Sequence, residues 1–173
     1  PRWDLSKFPQ VSKSLGSHMK SVGEVMAIGR TFKEALQKGI RMVGDYPDGL
    51  VPQYKNERIL QPHSQRIIDV FTELYDNSSS NEILNSARDK IVRETGIDKW
   101  FINQISQLSL AYYEMQTHKQ EFLTRDNILR MKQFGFCDKQ IAIALQTTES
   151  IIHEFRTKTN IFPFVKQIDT VAG

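Results

Sequence analysis

Cysteine is nearly absent from this chain. Its 173 residues hold one, Cys137, which cannot close an internal disulfide and has no second thiol at metal-ligand spacing. A reducing compartment fits best, so the expected location is cytoplasmic. Long apolar runs are missing too. The longest span four or five residues, such as Ile141 to Leu145, against about 18 for a membrane helix, so no membrane partner is expected. No apolar stretch follows a basic start, and a secretory leader is not expected. Charge of one sign is also scarce: 23 basic against 20 acidic side chains leave +3, which neither demands a nucleic-acid partner nor forbids one.

What is present is an ordinary globular composition. Apolar residues make up 39% and charged residues 25%, and aromatics recur along the whole length, which argues against disorder. At about 150 residues per domain this is one domain or two small ones. The amino-terminal Pro1-Arg2-Trp3-Asp4 and the apolar end from Val165 to Gly173 read as cuts from a longer chain, the latter as an apolar strand or ordered tail.

Residues 1–18 hold Pro1, Pro9, Gly16 and three serines and show no helical period, so irregular structure is expected. Val22 to Ile28 is a compact apolar run between Gly23 and Gly29 and reads as a short buried strand. Thr31-Phe32-Lys33-Glu34 is a capping box. Phe32, Ala35, Leu36, Ile40 and Val43 follow at helical spacing, and Gly44 ends that helix. Residues 44–62 gather Pro47, Pro52, Pro62, Gly44 and Gly49, a linker and the expected domain boundary.

Beyond it the pattern is helix upon helix. Ser64 is expected to cap a run holding Ile67, Ile68, Phe71, Leu74 and Tyr75. A second capping box, Ser79 to Glu82, leads Ile83, Leu84, Ala87, Ile91 and Val92 to a stop at Gly96. Asp98 caps the longest helix, with Trp100, Phe101, Ile105, Leu108, Ala111, Tyr112 and Met115 on one stripe. Thr124 opens a helix closed by Gly135, Asp138 starts a short one, and Thr148 caps the last. The fold class is therefore mainly α, with an amino-terminal irregular or strand strip.

Candidate chemistry is sparse. Gly23 to Gly29 is glycine-bounded, but its spacing fits neither a dinucleotide loop nor a phosphate loop. Glu24 is the odd member: a carboxylate leading an apolar strand faces water in a small protein, or lines a channel in a larger one. His18, His63, His118 and His153 stand too far apart in sequence for a metal site and read as solvated surface. Asp138 beside Cys137 argues against a nucleophilic thiol. The most suggestive pattern is residues 138–158, two short helices imitating a helix-turn-helix DNA reader. Its second helix offers Glu149, Ser150, His153, Glu154 and Arg156, and two carboxylates would repel phosphates. Two helices packing on a bundle is the plainer reading.

Several stretches carry a family resemblance. Met19-Lys20-Ser21-Val22-Gly23-Glu24-Val25-Met26-Ala27-Ile28-Gly29-Arg30-Thr31 is similar to a signature of carbamoyl-phosphate synthetase large subunits. Pro1 to Phe8, Ile97 to Phe101, Gly135 to Ile141 and Val165 to Ala172 match further family landmarks in order. Trp3 with Asp4 looks most like the eukaryotic pyrimidine-pathway form. The resemblance implies two ATP-grasp halves joined by a helical oligomerization domain. Residues 1–43 then correspond to the end of the carboxyphosphate half, and residues 44–173 to the oligomerization domain. It implies no catalytic, cofactor-binding or metal residue in this chain. It places Glu24 and Met19 on the wall of a carbamate tunnel. The whole enzyme would use bicarbonate, glutamine or ammonia, and two ATP with Mg²⁺ and K⁺. Expected partners are the remaining synthetase domains, a glutaminase domain or subunit, and a second copy through the helical domain; no nucleic acid is expected.

Overall fold

The computed structural model describes residues 1–3, 5–8, 10–12, 14–53, 61–167, 169 and 171. Its described elements are seven α-helices: α1 (Phe32–Val43), α2 (Arg66–Asp76), α3 (Asn81–Thr95), α4 (Lys99–His118), α5 (Arg125–Gln133), α6 (Asp138–Leu145) and α7 (Glu149–Lys158), with short 3-10 turns at Leu5–Lys7 and Lys119–Phe122. The mainly α class read from the periodicity is the class observed.

Local chemistry sets the boundaries. The hydroxyls of Thr31, Ser80, Thr124 and Thr148 each accept the backbone N–H three residues on, and Asp98 accepts that of Trp100. Each satisfies a donor that the first turn leaves orphaned. The box at Thr31 closes one residue early: Glu34 Oε2 accepts from the Arg30 amide at 2.8 Å. Two expected caps move. The second box is led by Ser80 rather than Ser79, and α2 begins after Gln65 with no side-chain cap, so Ser64 does not serve. α6 is capped by Cys137, whose Sγ accepts the Gln140 amide.

α4 is the axis of the bundle and packs against α2, α3, α6 and α1. Its buried face of Ile102, Ile105, Leu108, Ala111, Tyr112 and Met115 meets Ile68, Phe71, Leu74, Leu84 and Ile91. Phe71 and Tyr75 meet Tyr112 edge-on, and burial pushes the Tyr112 hydroxyl's pKa up. Small serines at 106 and 109 let the helices approach α4, and each returns its hydroxyl to a backbone carbonyl. The start of α4 corrects the expected stripe. Trp100 and Phe101 are 51% and 42% exposed and lie edge-on to Phe32 of α1.

The amino-terminal strip lies along the body outside any described sheet, as expected of a run without strand partners in this chain, but it is not the buried strand that its composition suggests. Val22 to Ile28 is not a buried strand: its described pairing is one isolated bridge, Arg2 to Gly23, and Val22, Met26 and Ile28 are exposed. An apolar strand is buried by the sheet it joins, and the described residues form no sheet. The carboxy-terminal run likewise forms no strand among its described residues, with Phe164 and Val165 exposed and Arg30 over the Phe164 ring. Asp4, residues 54–60 of the expected linker, and Ile168, Thr170, Ala172 and Gly173 lie outside the described residues.

Candidate functional site

The two residues expected on a tunnel wall lie on the strip between residues 19 and 30. Met19 is 88% exposed. Glu24 is exposed, with no hydrogen bond or ion pair among the described residues. The strip is held at both ends. Arg2 and the strip exchange two backbone bonds, Arg2 N–H to Gly23 O and Val22 N–H to Arg2 O. At its far end Lys38 Nζ donates to Ile28 O at 3.0 Å and to Glu34 Oε1 at 2.6 Å. Lys20 donates to the carbonyls of Ser12 and Ser14. The Glu34 carboxyl is pushed up by partial burial, and the Lys38 hydrogen bond and charge more than reverse this, leaving it below its ordinary value.

α1 places that strip against the bundle. Its buried polar residue is Gln37, fully enclosed like Gln140 of α6. The two side-chain amides bracket one backbone unit. Leu50 N–H donates to Gln37 Oε1 at 3.2 Å, and Gln140 Nε2 donates to Leu50 O at 2.6 Å. Gly49 precedes Leu50 with φ +78°, and a Cβ there would stand 2.9 Å from Gln140 Oε1. Arg41 donates to Gly135 O at 2.8 Å. Gly135, at φ +89°, lies so close to α1 that a Cβ would meet the Glu34 Cα at 2.9 Å. Sequence reading passed over Gln37, Gln140 and Arg41. The available signal was a glutamine among the apolar positions of each helix, at Leu36–Ile40 and at Ile141.

Two other polar clusters lie in the body. Asp138, expected only to start a helix, receives Lys132 Nζ at 2.8 Å and Arg156 at 3.0 Å, with His153 Nδ1 at 3.7 Å. Burial pushes its carboxyl up, but the hydrogen bonds and charges of Lys132 and Arg156 outweigh that and hold it below the ordinary value. His63 corrects the expectation of a solvated surface. Its side chain is 14% exposed, with Nε2 3.1 Å from Oδ2 of the buried Asp69. Burial raises the Asp69 carboxyl against the opposing charge of His63. Among the described residues that contact is not aligned as a hydrogen bond.

The ion pairs of both clusters tie neighbouring elements to one another. Among the described residues no three His, Cys, Asp or Glu side chains gather where they could hold a metal ion. No described helix is long and apolar enough to cross a membrane. The helix-turn-helix imitation between α6 and α7 has the right local shape, turning at Gln146 with φ 56°. Its one well-placed guanidinium, Arg156, is committed to Asp138 and to the Ile161 carbonyl. Glu149 and Glu154 face solvent instead, so nothing in the geometry favours phosphate binding.

Comparison with known proteins agrees with the helical architecture. Residues 24–160 match the family described as the carbamoyl-phosphate synthetase large chain, oligomerisation domain. The whole chain is similar to part of the mitochondrial ammonia-type carbamoyl-phosphate synthase of Mus musculus, 39% identical and covering 12% of that protein. It is 42% identical to multifunctional protein CAD of Squalus acanthias, covering 8% of it. It is 41% identical to the carbamoyl phosphate synthase large chain of Sulfurisphaera tokodaii, covering 16%. The chain thus spans less than a fifth of the length of these relatives.

Proposed function

Since the chain belongs to the carbamoyl-phosphate synthetase large-chain family, through its oligomerisation domain, we propose that it is the non-catalytic region joining the two halves of such a synthetase. In this reading the complete enzyme makes carbamoyl phosphate from bicarbonate, glutamine or ammonia, and two ATP, on ATP-grasp halves with Mg²⁺ and K⁺. It works in the cytoplasm for pyrimidine or arginine synthesis, with a glutaminase domain or subunit as partner. Residues 1–43 end the carboxyphosphate half, and residues 44–173 separate the halves and contribute to self-association. The match over residues 24–160 carries this reading. The helical body supports it, being rich in packing and poor in groups able to do chemistry.

Glu24 and Met19 are the residues proposed to line the carbamate tunnel. The exposed apolar edge of Val22, Met26 and Ile28 supports this, because an edge of that kind is buried only by further chain. Carbamate is short-lived in water, so a wall that excludes water raises the yield of product per ATP. The test is Glu24→Gln in the long synthetase chain that carries this region, since it keeps volume and removes charge. Bicarbonate-dependent ATP hydrolysis is expected to continue while carbamoyl phosphate per ATP falls. An unchanged ratio, with a lowered melting temperature, would make Glu24 a structural residue. The isolated 173-residue chain, given bicarbonate, ammonia and Mg-ATP, is expected to yield no carbamoyl phosphate above a buffer blank.

A further inference from the structure

α1 has a thin apolar hold on the rest of the molecule. Of its twelve residues only Gln37 and Ile40 are buried, and Phe32 rests on two aromatic rings that are themselves half exposed. Leu36 is half-buried against the core, and Lys33 lies over the Phe134 ring. Much of the remaining attachment is polar and reaches far along the chain: Gln37 and Gln140 around Leu50, Arg41 to Gly135 O, and Lys33 Nζ to Gln107. The bonds of Gln37, Gln140 and Arg41 form where α1 lies against Gly135, at which a Cβ would meet the Glu34 backbone at 2.9 Å, and where Gly49 passes the two glutamine side chains. The bracket is also incomplete. Gln37 Nε2 and Gln140 Oε1 are buried without a hydrogen bond among the described residues, and a half-satisfied buried network opens more readily than a complete one. The last residues of the strip are tied to α1 through Arg30, Glu34, Lys38 and Ile28, so residues 28–30 travel with that helix, while the segment before them is held through Lys20 to Ser12 and Ser14 and through Ser14 and Leu15 to the chain just before α2.

We propose that Gln37, Gln140 and Arg41 form a latch by which α1, with residues 28–30 that lead into it, opens from the body of α2 to α7 as one unit, while that body stays folded. The device couples the corner at residues 134–140 to residues 28–30: a contact that pulls on the corner releases α1. Its basis is the packing of this chain and does not depend on the synthetase reading.

Amide hydrogen exchange on the 173-residue chain tests it, comparing α1 amides 36–43 with those of α2 and α4. In Gln37→Met/Gln140→Met the backbone of Leu50 loses both partners. Exchange in α1 is expected to rise at least about tenfold while α2 and α4 change by less than about twofold. Arg41→Ala, which removes one half-buried bond, is expected to give a smaller rise confined to α1. It decides the matter alone if the double variant does not fold. Equal acceleration of α1, α2 and α4 would show one cooperative unit and overturn the latch. So would an α1 that exchanges as in the unsubstituted chain.

Discussion

Asp138 draws both Lys132 and Arg156 to a mostly buried oxygen pair. Asp138→Asn leaves two cations without their counter-charge and is expected to lower stability by about 1–3 kcal/mol in urea unfolding at pH 7. The loss has a definite pH dependence. A carboxyl whose folded value is depressed contributes stability above its unfolded value, here 3.8, and loses it as pH falls through the lower folded value. The gap between the unsubstituted chain and Asp138→Asn is therefore expected at full size above pH 5 and closing below pH 3.8. A gap constant down to pH 2 would mean the charge is not what stabilises. Gly135→Ala tests the approach of α1 to the corner. It adds a Cβ at φ +89° and 2.9 Å from backbone, and is expected to cost about 1–3 kcal/mol in the same measurement.

At the scale of elements, α7 is the helix whose surface decides between packing and nucleic-acid binding. With Arg156 turned inward and Glu149 and Glu154 outward, fluorescence anisotropy with duplex DNA at low salt is expected to detect no salt-dependent binding. A reader of phosphates loses affinity steeply with salt, and such a slope would reverse the assignment. The helices themselves were legible because each signal was local. A polar cap and a 3.6-residue period locate α1, α4, α5 and α7 closely, and a glycine at or just past the end marks the stops of α1 and α5. What was not legible depended on distant chain. Val22 to Ile28 has a strand's composition, but a strand is made by its neighbours. Trp100 and Phe101 fit the apolar period of α4, yet their first-turn position leaves them at the rim, facing Phe32. Gln37 and Gln140 drew no reading at all, because their partner, the backbone of Leu50, is not encoded by any side chain. His63 is half-buried beside Asp69, six residues on, a partner that its polar sequence neighbours do not reveal. Of the candidate site, Glu24 and Met19 came from the resemblance and not from any pattern of chemistry in the residues.

At the scale of the molecule, one body built around α4 has a single apolar core and several exposed apolar margins: the strip at Val22, Met26 and Ile28, and the end at Phe162, Phe164 and Val165. Margins of that kind on an otherwise well-packed bundle suit a piece set between other domains. The proposed joining role has a direct test in exchange. A chimera would carry this chain in place of the matching segment of the Sulfurisphaera tokodaii large chain, 41% identical to it. Carbamoyl phosphate formed per ATP hydrolysed is the quantity to measure. The chimera is expected to make carbamoyl phosphate at a ratio close to that of the unaltered enzyme. A chimera that folds and hydrolyses ATP with bicarbonate, yet forms none, would contradict it.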